Sequence, residues 1–286
     1  MTKNIILRFS ISLIIIFSYQ FNFAQKATKV DTVYFLQTND THSRIEAFSE
    51  NEKRNPGAAG YAMRSAFIKF YKEKHSNLLI FDSGDFLQGT PYFNFFKGEL
   101  EVELMNRLGY HAVTLGNHEF DNGVDELARI LKHAKFKVIS SNYDVSKTAL
   151  RKIVKPYHIF NLNGIRIGVI GLGVDPEGLI SPNNFKDVVY KDPIEMGNYW
   201  ADYLKEKRKV AMVVCLSHLG FYVDEEKISD ATLAASSKNI DIIMGGHSHV
   251  LIDVPLYVND KNNNEVLITQ NASTGSHMSL IYSVLK

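Results

Sequence analysis

Cysteine is almost absent from this sequence: Cys215 is the only one among 286 residues. One thiol cannot close an internal disulfide, and its place in the apolar run Val213-Val214-Cys215-Leu216 marks it as an inert core residue. The same scarcity excludes a tetra-thiolate zinc site. Excess charge of either sign is also lacking. The chain carries 32 basic and 31 acidic residues, a net charge of +1, so there is no electrostatic footprint for a nucleic acid or an anionic membrane. Internal repeats and low-complexity linkers are missing, and no apolar run reaches the ~20 residues of a spanning helix. What remains is an ordinary globular composition, 45% hydrophobic and 22% charged. The chain is long enough to bury a sizeable core without disulfide staples.

The amino terminus has its own character. Lys3 and Arg8 precede the apolar run from Ile11 to Phe17, which closes near Phe23-Ala24-Gln25. This is the pattern of a secretory signal, and it is set aside from the fold argument. Residues 1–24 are read as a signal peptide and 25–286 as the working domain. Asn22 departs from the small residue usual two positions before the cut. Losing Lys3 and Arg8 takes the mature chain to about −1, with no lipidatable cysteine at its new end. Export to the periplasm or the medium follows, with no membrane attachment after cleavage.

Beyond the leader, short β-branched runs alternate with helical periodicities. Val33 to Gln37, Leu78 to Phe81, Ala112 to Leu115 and Val138 to Ser140 read as buried strands. Tyr61 to Lys74, Glu99 to Leu108 and Val124 to His133 read as helices. Asn163-Gly164, between two apolar runs, is a hairpin turn. Then come a helix from about Pro193 to Lys207, a strand from Ala211 to Leu216, a helix from Ala231 to Ser236 and a strand from Ile240 to Met244. A second hairpin surrounds Asn262-Asn263-Asn264, and a strand runs from Leu280 to Leu285. The alternation predicts α/β layers with a mixed sheet or two sheets.

Five polar segments each follow an expected strand, where α/β proteins gather their ligands. They are Asn39-Asp40-Thr41-His42, Asp82-Ser83-Gly84-Asp85, Gly116-Asn117-His118-Glu119-Phe120-Asp121, Ser217-His218 and Gly245-Gly246-His247-Ser248-His249. Singly, each has a bland explanation. Asp40 could close an Asx turn, Asn117 could cap a helix, and His218 could be a satisfied core histidine. Jointly, a set of histidines, aspartates and one asparagine at strand ends points to an open catalytic metal site. Imidazole with carboxylate and amide oxygen suits zinc, manganese, cobalt or iron.

In this ordered set the sequence resembles the calcineurin-type metallophosphoesterases, and within them the catalytic domain of the 5′-nucleotidase family, from about Thr32 to the carboxyl terminus. Gln88-Gly89-Thr90-Pro91 and Leu216-Ser217-His218-Leu219-Gly220 carry the resemblance further. It implies a four-layer αββα sandwich of two mixed sheets packed face to face. It implies two divalent metals, one held by Asp40, His42 and His249, the other by Asn117, His218 and His247, with Asp85 bridging. His118 matches the catalytic histidine and Asp121 its orienting partner. Asn117 and His118 match positions that touch the phosphoryl group. The implied activity is hydrolysis of phosphate monoesters, 5′-nucleotides foremost.

The sequence departs from that family at its far end. Full-length members carry a second, carboxyl-terminal domain that stacks the base and supplies arginines, and no residue before Lys286 matches those roles. Either a separate chain supplies that domain or the protein acts alone on small phosphate esters. A metal-binding subunit that is non-catalytic, or depends on such a partner, is the alternative reading. The aromatic group Tyr92, Phe93, Phe95 and Phe96 reads as core packing or a partner interface.

Overall fold

The computed structural model describes residues 31–221 and 228–285; the expected leader, residues 1–24, lies outside them. Five strands of the first sheet run parallel: β1 (Asp31–Thr38), β2 (Leu78–Asp82), β3 (Ala112–Val113), β4 (Lys137–Ile139) and, beyond a small β5 (Tyr143–Asp144), β6 (Val154–Lys155). The second sheet begins with the hairpin β7 (Tyr157–Leu162) and β8 (Ile165–Gly173). Asn163 and Gly164, at φ 53° and 94°, make its turn as expected. After β9 (Val189–Tyr190), which pairs with β5, the parallel strands β10 (Met212–His218) and β11 (Ile242–Met244) follow. The hairpin β12 (Leu256–Asn259) and β13 (Glu265–Thr269) completes that sheet. Finally β14 (Ser279–Leu285) returns to pair antiparallel with β1.

Side-chain alternation builds four layers from these strands. Val33, Phe35, Leu79 and Phe81 face Ile167, Val169, Val214 and Leu216, so one core fills the space between the sheets. The intervening residues point outward. Leu36, Leu78 and Ile80 meet helices α1 (Gly60–Lys74), α3 (Glu99–Leu108) and α4 (Val124–Leu131). Val213, Cys215 and Ile243 meet α5 (Pro193–Asp202) and α6 (Asp230–Ser236). The expected αββα sandwich is therefore present, and Cys215 lies fully buried in its outer core.

Several elements differ from their sequence expectation; α4 ends at Leu131 rather than His133, and β11 begins at Ile242 rather than Ile240. β3 stops at Val113: the Thr114 amide makes the last ladder bond, to Asp82 O, and its hydroxyl turns to Ile139 O. The helix expected to Lys207 is α-helical only to Asp202 and finishes as a π-turn over Tyr203–Lys207. That wider turn lays Leu204 against Gly168, where a Cβ would come within 3.0 Å of it. The run Tyr92 to Phe96 forms the short helix α2 (Pro91–Phe96), with only Phe93 in the core and Phe95 81% exposed.

A pH effect follows from His111, just before β3. Its Nδ1 accepts the Ile80 amide at 3.0 Å, which requires a neutral ring. Burial, with Lys72 nearby, holds it down at about 4. A base whose folded pKa lies below its unfolded value costs stability as pH falls from the unfolded pKa toward the folded one. His111 should thus cost ~2 kcal/mol between about pH 6.5 and 4. Urea midpoints across that range should fall more steeply for the wild type than for His111→Gln, whose amide oxygen can accept the same bond; parallel profiles would refute this.

Candidate metal centre

The carboxyl ends of both sheets meet at one edge and are tied across it. Gln37 Nε2 donates to Gly245 O at 3.0 Å, and Ser83 Oγ to Met244 O at 2.6 Å. Each parallel strand releases its polar loop there. Asp40 and His42 follow β1, Asp85 follows β2, Asn117 and His118 follow β3, His218 ends β10, and His247 and His249 follow β11. All nine residues singled out from the sequence, Asp121 included, lie at this edge, His218 as the last residue of its strand and the others in the loops.

Two compact groups result. Asp40, His42 and His249 each offer a ligand atom, all within 4.8 Å of one another, and Asp85, His218 and His247 do the same. The groups adjoin through Asp40, whose Oδ1 lies 3.9 Å from His42 Nε2, 3.4 Å from His249 Nε2 and 4.0 Å from His218 Nε2. Asp85 Oδ2 lies 3.0 Å from His218 Nε2, while its Oδ1 accepts the His118 amide at 2.9 Å.

The donor chemistry fits cations. His218 Nδ1 sits 2.7 Å from Ser83 O and must donate to it, which leaves a lone pair on Nε2 facing Asp85. Two lone pairs 3.0 Å apart need a positive charge between them. Burial alone would push the His218 ring toward neutrality, but the Asp85 carboxylate outweighs it and lifts the ring to about 10. Burial would likewise raise Asp85, but His218 holds that carboxyl well below the usual range. A proton thus fills the role a metal ion would take. The Nε2 atoms of His42 and His249 are 3.0 Å apart, again suited to a shared charge. Burial lowers His42, and burial with His218 beside it holds His247 at about 4, so both are neutral ligand-type imidazoles. Asn117 Oδ1 is buried with no hydrogen-bond partner, an orphan oxygen of the kind a cation satisfies.

The backbone is strained where these side chains converge. Asp40, His42, Asp85, His247 and His249 have φ of 48°, 46°, 55°, 72° and 56°. Left-handed backbone costs a residue with a Cβ about 1–2 kcal/mol, and such strain persists only where surrounding structure enforces it. At position 249, glycine escapes that penalty and alanine does not. His249→Gly should therefore melt above His249→Ala in chelator, by about 1 kcal/mol after glycine's greater unfolded entropy is subtracted. Equal melting points would mean the loop relaxes freely.

His118 stands apart from both groups. Its Nδ1 is 2.9 Å from Asp121 Oδ2, and that hydrogen bond raises its pKa above the ordinary histidine value despite partial burial. The pair is about one-third exposed, 33% and 32%, and can hold a proton toward solvent at Nε2.

Sequence reasoning passed over Glu119. It is buried, and its carboxylate accepts the amides of Asp85 (2.9 Å), Phe86 (3.0 Å), Leu87 (3.3 Å) and Gly116 (2.6 Å). One side chain thereby clamps the Asp85 loop to the Asn117 loop. The only signal was an acid next to His118, and its inward direction is set by the 3-10 turn of His118–Phe120.

The chain is also similar to known proteins. Residues 33–251 match the calcineurin-like phosphoesterase model. The snake venom 5′-nucleotidase of Gloydius brevicauda is 34% identical over 224 residues, 76% of this chain and 37% of that protein. The NAD 5′-nucleotidase of Haemophilus influenzae is 32% identical over 234 residues, 80% of this chain and 38% of the relative. The crystal structure of a 5′-nucleotidase precursor from Thermus thermophilus superposes with a TM-score of 0.78 at 32% identity, covering 90% of this chain and 53% of that one. The chain thus spans less than half the length of these curated relatives.

Proposed function

This chain belongs to the calcineurin-like phosphoesterase family, and from that membership we propose that it is an exported hydrolase of phosphate monoesters, 5′-nucleotides foremost, working with two divalent cations. One observation carries the reading: two three-residue ligand groups meet at one sheet edge, with Asp40 within 4.0 Å of imidazoles from both.

Asp40, His42 and His249 would hold one ion and Asn117, His218 and His247 the other, with Asp85 shared between them. Their nitrogen and oxygen donors suit zinc, manganese, cobalt or iron. The chemistry such a pair supplies is Lewis acidity, which makes a water acidic enough to attack phosphorus and compensates charge on the phosphoryl oxygens. The chain's own residues do the rest. Asn117 and His118 flank the phosphoryl group and orient it. His118, kept protonated by Asp121, donates a proton from Nε2 to the departing oxygen. Ser83, holding His218 at Nδ1, and Glu119, holding both loops, keep the ligands aimed.

Nucleotides are favoured as substrates by the similarity to 5′-nucleotidases. A separate polypeptide carrying a base-binding domain is proposed as a partner. Export rests on the signal-like residues 1–24. Among the described residues no helix is long and apolar enough to cross a membrane.

The test is turnover of p-nitrophenyl phosphate and of AMP by the mature protein with Mn²⁺ or Zn²⁺. Chelator should return the rate to background and added metal should restore it. No turnover with any metal would replace the hydrolase reading with that of a metal-binding subunit. Amino-terminal sequencing of the exported protein should begin at Gln25; an intact Met1 retained in the cytoplasm would refute export.

A further inference from the structure

A cleft of about 290 Å³ opens beyond Tyr143, lined by residues with no part in the metal chemistry. Its size, near the ~300 Å³ lower bound of small-molecule sites, suits a ligand no larger than a nucleoside monophosphate. Arg151, Lys155 and Lys191 all line it, in a chain whose total charge is only +1. Asp144 is the only acid in the lining, and it is already engaged. It accepts the Ser146 amide at 3.0 Å and lies 3.1 Å from Lys191 Nζ, contacts that hold its carboxyl at about 2. Lys155 Nζ reaches only the Arg151 carbonyl, at 3.5 Å. The Arg151 guanidinium makes no hydrogen bond or ion pair among the described residues. Positive charge there exceeds what the protein itself neutralises.

Trp200 forms another wall. Its ring is braced by Tyr157, Tyr199 and Tyr203, with centroids 5.2, 5.0 and 5.7 Å away. A rigid aromatic wall and surplus cations form the signature of a site for a flat ring with an anionic group.

We propose that this cleft is a second ligand site, taking an aromatic anion of about nucleoside-monophosphate size. Its ring lies against Trp200 and its anionic group among Arg151, Lys155 and Lys191. Tyr143 connects the cleft to the catalytic loop, because its ring packs edge-on against Phe120, two residues beyond His118.

Trp200 is the only tryptophan of the chain, so its emission reports on the cleft directly. AMP titrated into chelator-treated protein should change that emission saturably, with half-saturation below ~1 mM. The exposed pair Arg151→Gln/Lys155→Gln should weaken the response about tenfold or more, with an unchanged melting point. His118→Ala should leave it intact, which separates this cleft from the metal centre. Inorganic phosphate should bind at least about tenfold more weakly than AMP. Equilibrium dialysis of labelled AMP against the same variants covers a ligand that leaves the emission unchanged. The proposal is overturned by no bound AMP in dialysis, by unaltered affinity in the double variant, or by phosphate binding as tightly as AMP.

Discussion

Gly116→Ala is expected to lose at least one of the two metals and to lower kcat/KM by ~10²-fold or more. A Cβ at this position would overlap Asp85 Oδ1 and lie 2.6 Å from His218 Nε2 and 2.7 Å from its Cε1. Those two side chains belong to the same ligand group. They cannot retreat easily, since His218 is anchored by Ser83 O and Asp85 has the His118 amide on its Oδ1. Gly116 does not have a left-handed φ, so backbone conformation does not forbid alanine and the effect is one of space alone. Overpacking of this kind typically costs about 1–3 kcal/mol, which the four-layer core can absorb. The variant should remain folded by circular dichroism while elemental analysis shows fewer than two metals per chain. Two bound metals with wild-type kcat/KM in Gly116→Ala would show that the ligand group does not bind as its geometry implies.

His118→Ala should behave in the opposite way, keeping both metals and losing about 10²–10⁴ in kcat, the usual worth of a general acid. His118 is tied to Asp121 and belongs to neither ligand group. The size of the loss should depend on the leaving group. An aryl phosphate departs with little protonic help, whereas a nucleoside alkoxide needs the proton, so AMP hydrolysis should suffer more than p-nitrophenyl phosphate hydrolysis. Asp121→Asn should follow the same trend more mildly, because an amide can still position the ring but no longer favours its protonated form. Equal losses on both substrates would make His118 a phosphoryl-binding residue without an acid role. Loss of metal from His118→Ala would make it a ligand.

Much of this was legible in one dimension. Near-continuous apolar runs in Val33 to Gln37 and in Ala211 to Leu216 disclose strands with both faces buried, which requires layers on either side. Asn163-Gly164 encodes its turn by local conformational preference. The five polar loops stood out because each follows such a strand.

Other features depend on contacts between distant residues. β3 ends where Thr114 reaches Ile139, and the π-turn comes from Leu204 seating over Gly168. Neither partner is near in sequence. The division of the Tyr92 to Phe96 run into one core ring and exposed neighbours is likewise set by what α2 packs against.

The sequence by itself determined the residue types and their order along the chain: carboxylates, imidazoles and one amide at strand ends, with too little cysteine for thiolate chemistry. Both properties are local, fixed by side-chain chemistry and by the two-residue period of a strand. Only the tertiary structure decided which atoms meet. Asp40 approaches His249 from the opposite end of the chain, Glu119 turns inward to clamp two loops, and five site residues take left-handed backbone. Those arrangements are held by packing and hydrogen bonds between sheets, and local preference would not choose them.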